Sequence, residues 1–182
     1  MRFLSRRALL ILPVFVLAIV VVALPTVAFG DRDPNEFRAQ LLGVNEVPSI
    51  NTVATGNVKL TLSATNIQFE VSWSNLSTNP VVAHIHIGQR HTNGTPSAFF
   101  CGGGGKPACP ASPSHSATIT GTIVAADVVG PAGQGIAAGN LAGLERMIRL
   151  GATYSNVHSA TFPGGEIRGQ NRPSGNGQDQ NN

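Results

Sequence analysis

Two histidines one residue apart, His84 and His86, carry the first chemical possibility in this chain. They lie in Val81-Val82-Ala83-His84-Ile85-His86-Ile87-Gly88, which alternates strictly: Val82, His84 and His86 on one side, Ala83, Ile85 and Ile87 on the other. That period-2 pattern predicts a half-buried strand. At strand rise the two imidazoles leave the same face with Cβ atoms about 6–7 Å apart. A third imidazole, His158, closes the stretch Tyr154-Ser155-Asn156-Val157-His158. A His-x-His strand with a third ring from a neighbour suits copper or zinc, with zinc–nitrogen distances of about 2.0–2.1 Å. His91, His115, Glu166 or water could complete the set. The same three residues admit a structural use. A neutral imidazole donates one hydrogen bond and accepts another, so they could tie strand ends to Asn156, Glu166 or backbone carbonyls. Both readings stand, and the distances among the rings separate them.

A second polar group comprises Glu46, Asn156, Glu166 and Arg168. Glu166 and Arg168 are two residues apart on a short strand and so should share a face. Arg168 could grip Glu46 through a bidentate fork, as a structural ion pair or as a clamp for a substrate carboxylate. Nucleophilic catalysis has little support, because no Gly-x-Ser-x-Gly elbow occurs. Cys101 and Cys109 are the only cysteines and are expected to form a disulfide around the glycine-rich loop 102–108. A two-thiolate metal site is the alternative. Pro163-Gly164-Gly165 reads as a turn; a phosphate cradle would need a following helix, and a strand pattern follows.

The elements that would position these residues are mostly strands. Residues 37–42 alternate. Residues 55–62 place Val58, Leu60 and Leu62 inward, and 67–73 do the same with Ile67, Phe69, Val71 and Trp73. A turn at 63–66 should make these two a hairpin. Residues 97–100 and 116–124 add strands, and 154–158 and 166–170 flank the Pro-Gly-Gly turn. Residues 141–150 form the single helical pattern, with Leu141, Leu144 and Ile148 on one face, Asn140 as N-cap and Gly151 just past the end. The expectation is an all-β domain: an antiparallel β-sandwich or small Greek-key barrel of seven or eight strands with one short helix late in the chain.

The N-terminus reads as an export leader over residues 1–30. Arg2, Arg6 and Arg7 precede the apolar run 8–24, and Ala28 and Gly30 offer a small-residue cleavage site. An uncleaved signal anchor is the alternative, and the only membrane association expected. Cleavage would leave nine basic and nine acidic residues, since 12 − 3 = 9 and no acid precedes Asp31. With no net positive charge remaining, nucleic acid is not an expected partner. Residues 31–36 form a polar lead-in, 37–170 the domain, and 171–182 a polar tail expected to be disordered.

The order of Phe37-x-Ala39-x-Leu41-x-Gly43-x-Asn45-Glu46-Val47-Pro48, Ala54-x-Gly56, Ala83-His84-Ile85-His86, Tyr154-x-Asn156-Val157-His158 and 162–170 (FPGGEIRGQ) resembles the CHRD domain, the module repeated in chordin. The Cys101–Cys109 loop departs from that pattern as a local insertion. The resemblance implies an extracytoplasmic β-rich module of poorly defined role; the leading expectation is a secreted or periplasmic binding or structural module of this type, without catalytic activity, whose partner would be an unidentified protein or cell-surface component. A His-x-His strand on a sandwich is also similar to copper–zinc superoxide dismutase, but the bridging-histidine region and Asp-rich ligand loop of that enzyme are missing. The competing expectation is a copper- or zinc-binding protein that uses His84, His86 and His158, with redox activity as one role open to it.

Overall fold

Alternation becomes structure most directly in the hairpin of β2 (Thr55–Ser63) and β3 (Asn66–Ser74). In the computed structural model, which describes residues 33–175, every residue of β2 pairs with one of β3, from Thr55–Ser74 to Ser63–Asn66. Ser63 pins the turn: its hydroxyl donates to the Asn66 carbonyl at 2.9 Å and accepts from the Asn66 amide at 3.2 Å. The other strands are β1 (Glu36–Leu42), β4 (Pro80–Ile87), β5 (Thr95–Cys101), β6 (Ala117–Ile123), β7 (Thr153–Ser159), β8 (Ile167–Gln170) and β9 (Arg172–Pro173). The helix α1 spans Leu141–Arg149. The expected leader at 1–30 and residues 176–182 lie outside the described residues. Among those described, no helix is long and apolar enough to cross a membrane.

The strands lie side by side in the order β5-β4-β7-β8-β1-β2-β3-β6, with β9 paired to β1. This antiparallel sheet curls into a nearly closed barrel or sandwich, as the all-β reading expected. Its two ends approach each other. The Phe100 ring of β5 lies 4.9 Å from Phe69 of β3. Lys106, in the loop after β5, donates to the Thr122 carbonyl of β6 and pairs with Asp127 at 2.7 Å. That loop is closed by the Cys101–Cys109 disulfide, the pairing expected from the sequence.

One contiguous apolar core fills the interior, with Leu41, Leu60, Ile67, Val71, Ile85 and Val157 fully buried. Burying each such side chain contributes about 1.5–3 kcal/mol. Helix α1 adds Leu141, Leu144 and Ile148, the face its spacing predicts. Its Asn140 cap accepts from the Gly143 amide at 2.9 Å, which satisfies one of the orphan donors of the first turn.

Asn171 opens the stretch 171–182 read above as a polar tail. Asn171 is fully buried; its amide donates to Thr153 Oγ1 at 3.0 Å and its Oδ1 accepts from Ser155 at 2.9 Å. Arg172–Pro173 then pairs with β1. A buried polar residue whose side-chain oxygen and nitrogen each find a strand partner packs with the domain, although its type alone suggests a loop.

Candidate metal centre

The site sits on the face of β4, β7 and β8 turned away from the apolar core. Ala83, Ile85 and Ile87 of β4 and Val157 of β7 point into the core, so alternation sends His84, His86, Tyr154, Asn156 and His158 the other way. Register then sets the neighbours. His84 faces Asn156, which faces Arg168, while His86 faces Tyr154. On its other side β4 slips register against β5 between Ala83 and His84 and again between Ile85 and His86. Such irregularities re-aim side chains.

The structure brings all three histidines together. One ring nitrogen from each lies within 4.8 Å of the others. The His84 ring centre is 4.3 Å from His86 and 4.7 Å from His158. Exposure is only 5 %, 7 % and 8 % for His84, His86 and His158, although they leave the outer side of a sheet. Loops account for that. Gly94, in the loop between β4 and β5, places its carbonyl 2.9 Å from His86 Nδ1. Pro163, in the turn between β7 and β8, places its carbonyl 2.9 Å from His158 Nδ1. Glycine is required in both covers. A Cβ on Gly94 would meet the Ile87 carbonyl at 1.8 Å, and one on Gly165, at φ +124°, would meet the Glu46 carboxyl at 2.5 Å.

These contacts fix the protons. A carbonyl only accepts, so Nδ1 of His86 and of His158 carries the hydrogen. Burial holds all three rings neutral: it drives His84 down to about 2, helped by the two neighbouring rings, and His86 to about 4 against the pull of the Gly94 carbonyl. His158 is lowered for the same reason, opposed by Pro163. Each Nε2 of His86 and His158 is therefore a bare lone pair. His158 Nε2 and His84 Nδ1 are buried with no partner. His86 Nε2 faces Asn156 Oδ1 at 3.1 Å, acceptor against acceptor. Turning that amide end for end would supply a donor to His86 and present its oxygen to Glu46, which as a buried acid can donate to it, so the unpartnered nitrogens of the cluster are those of His84 and His158. Buried lone pairs without donors cost about 1–3 kcal/mol each, and a bound cation is one way to satisfy them.

The expected Arg168–Glu46 fork does not form. Arg168, 2 % exposed, donates instead to the backbone carbonyls of Thr92 at 2.7 Å and Gln89 at 3.1 Å. Its guanidinium also lies 3.4 Å over the centre of the Tyr154 ring, and that ring stacks on His86 at 4.4 Å, 7° from parallel. The five donors of a guanidinium suit several carbonyls as well as one carboxylate. Glu46 is left buried, with Oε1 unpartnered, and burial pushes it up to about 7 against the nearby charge of Arg168. Nor does Glu166 act together with Arg168. Its Oε1 accepts from Thr52 and from the Ser77 amide and hydroxyl at 2.7–2.9 Å. Burial raises its pKa, but hydrogen bonding from Ser159, Ser77 and Thr52 more than offsets that, and it stays below its ordinary value.

Three candidates for a fourth ligand are placed elsewhere. His91 is exposed, His115 Nδ1 meets the Leu76 carbonyl, and Glu166 is held by hydroxyls. Sequence reasoning missed Phe99, whose ring meets His84 edge-on at 5.1 Å, and the stack of Arg168, Tyr154 and His86. The Asn93-Gly94 dipeptide marked a turn but carried no sign of what it covers.

No curated protein and no solved structure matches the chain. Residues 37–171 do match the family model of the CHRD domain, a span that takes in β1 from its second residue, every strand from β2 to β8, the three histidines, Glu46, Asn156, Glu166 and Arg168. The protein belongs to the CHRD domain family.

Proposed function

We propose that this is an exported, non-catalytic CHRD module that binds a transition-metal ion, copper or zinc, through His84, His86 and His158. The observation that carries the reading is the convergence of three buried neutral imidazoles, two of them with unpartnered ring nitrogens. Export draws support from the leader pattern at 1–30, the disulfide and the extracellular setting typical of CHRD domains. Cleavage of that leader releases the domain to a secreted or periplasmic location.

The test is metal analysis of protein isolated without a His tag. Close to one equivalent of copper or zinc is expected, lost in a His84→Ala/His86→Ala variant that retains its fold. Metal-free protein that takes up neither ion when offered both would sink the reading.

A second reading has its own observation. His86 and His158 each hold a covering loop through a carbonyl, which suits a rigid surface for a protein or cell-surface partner. Partner binding of that kind would survive chelation.

A further inference from the structure

The composition of the cluster discriminates between metals and between charge states, granting the metal reading on which this inference rests. Among the described residues no carboxylate or thiolate joins the three rings. Cys101 and Cys109 are bonded to each other, and Glu166 is turned toward Thr52 and Ser77. Structural zinc sites take four ligands, so zinc here would need water as well. The surroundings are aromatic: Phe99 lies edge-on to His84 and Tyr154 flat against His86.

Charge points the same way. Three neutral imidazoles bring no negative charge, so a bound ion keeps its own. The cost of burying an ion grows as the square of its charge, so a dication costs about four times what a monocation does. A fixed positive charge already sits nearby, since the Arg168 guanidinium caps the Tyr154 ring that stacks on His86. Glu46 is no ready counter-charge, because it is not part of the cluster. Monovalent copper shares zinc's filled d shell but carries half its charge and accepts a lower coordination number. Two or three imidazole nitrogens satisfy it without water.

We infer that the cluster selects monovalent copper over zinc and over divalent copper, holding it by His84, His86 and His158 alone. His158 and His86 bind through Nε2, because their Nδ1 hydrogens are committed to Pro163 and Gly94. His84 binds through its unpartnered Nδ1.

The test is an anaerobic competition titration of the metal-free, untagged protein. Cu(I) is presented as its bathocuproine disulfonate complex, and Zn(II) and Cu(II) are offered separately against chromophoric chelators. One Cu(I) per chain is expected, at least about 100-fold tighter than zinc, with an X-ray absorption spectrum showing a low-coordinate, all-nitrogen shell. His84→Gln and His158→Gln should each weaken Cu(I) by about 100-fold. Phe99→Glu, which removes no ligand and adds a carboxylate beside His84, should move the preference toward zinc by about tenfold or more. Zinc or divalent copper bound as tightly as Cu(I) would overturn the selectivity and leave the metal-binding function standing. Protein that binds none of the three ions would overturn both. Tight Cu(I) binding unchanged by His84→Gln, His158→Gln and Phe99→Glu would overturn the ligand assignment.

Discussion

Two outward faces of the same sheet differ sharply in what covers them. On β2 and β3 the outward residues Asn57, Glu70 and Ser74 meet solvent or stand half-open, and burial alternates along each strand. On β7 every one of seven residues from Thr153 to Ser159 is buried, although its outward positions are Tyr154, Asn156 and His158. A polar face exposed to water costs nothing to keep. The same kind of face roofed by loops must find partners for each polar atom or carry the cost. The site face finds many, in the Gly94, Pro163, Thr92 and Gln89 carbonyls, and leaves His84 Nδ1, His158 Nε2 and Glu46 Oε1 without any. Residues that stay unsatisfied in an otherwise well-bonded layer mark where function draws on stability.

The sharpest way to break the contrast is Arg168→Ala. It leaves two loop carbonyls unpaired and strips the cover from Tyr154, and should cost about 3–5 kcal/mol in urea unfolding. A loss below about 1 kcal/mol would mean the roof does not depend on Arg168.

Acid should expose the difference next. Above pH 6.5 the site histidines are neutral whether the metal-free chain is folded or not, so their contribution is complete. As pH falls below 6.5 the unfolded chain takes up protons the fold refuses. Stability drops by about 1.4 kcal/mol per pH unit for each such proton, down to about 4 for His86 and lower still for His84. Glu46 runs the other way: its folded value of about 7 against 4.5 adds stability below 4.5 that is lost as pH rises through 7. The two effects oppose each other between 4.5 and 6.5. Glu46→Gln should therefore steepen the acid loss in that window, and an unchanged slope would refute the assignment of a buried proton to Glu46.

A smaller effect, about 1–3 kcal/mol, is expected for Gly165→Ala, whose Cβ would strike the Glu46 carboxyl at a strained φ. The control is Lys59→Ala on the open face. It removes a surface ion pair to Glu36 at 2.7 Å and should change stability by less than about 1 kcal/mol.

The open face was legible in the sequence for the reason that makes it ordinary. Ile67, Phe69, Val71 and Trp73 alternate with polar residues because one side is core and the other water. The α1 face and the Cys101–Cys109 bridge were equally readable, the first from spacing and the second from there being two cysteines to pair. At β7 that logic fails, since Ser155 and Asn156 are both buried and hydropathy cannot tell an inner side from a roofed outer one. His84, His86 and His158 were found because their residue type is rare and their spacing suggestive. The partner of Arg168 was misjudged because charge invites a carboxylate, whereas backbone carbonyls leave no trace in a sequence. Asn171 was assigned to the tail on the same grounds, its strand partners being side chains sixteen and eighteen residues away.

The Gly94 and Pro163 carbonyls have a kinetic consequence. Each roof segment is fastened to the imidazole it conceals, so under the metal-binding proposal a guest would reach the rings only when a fastening lets go. Capture and escape should then both be slow, paced by excursions of the two segments, and tight retention would say as much about their hinges as about the donors beneath.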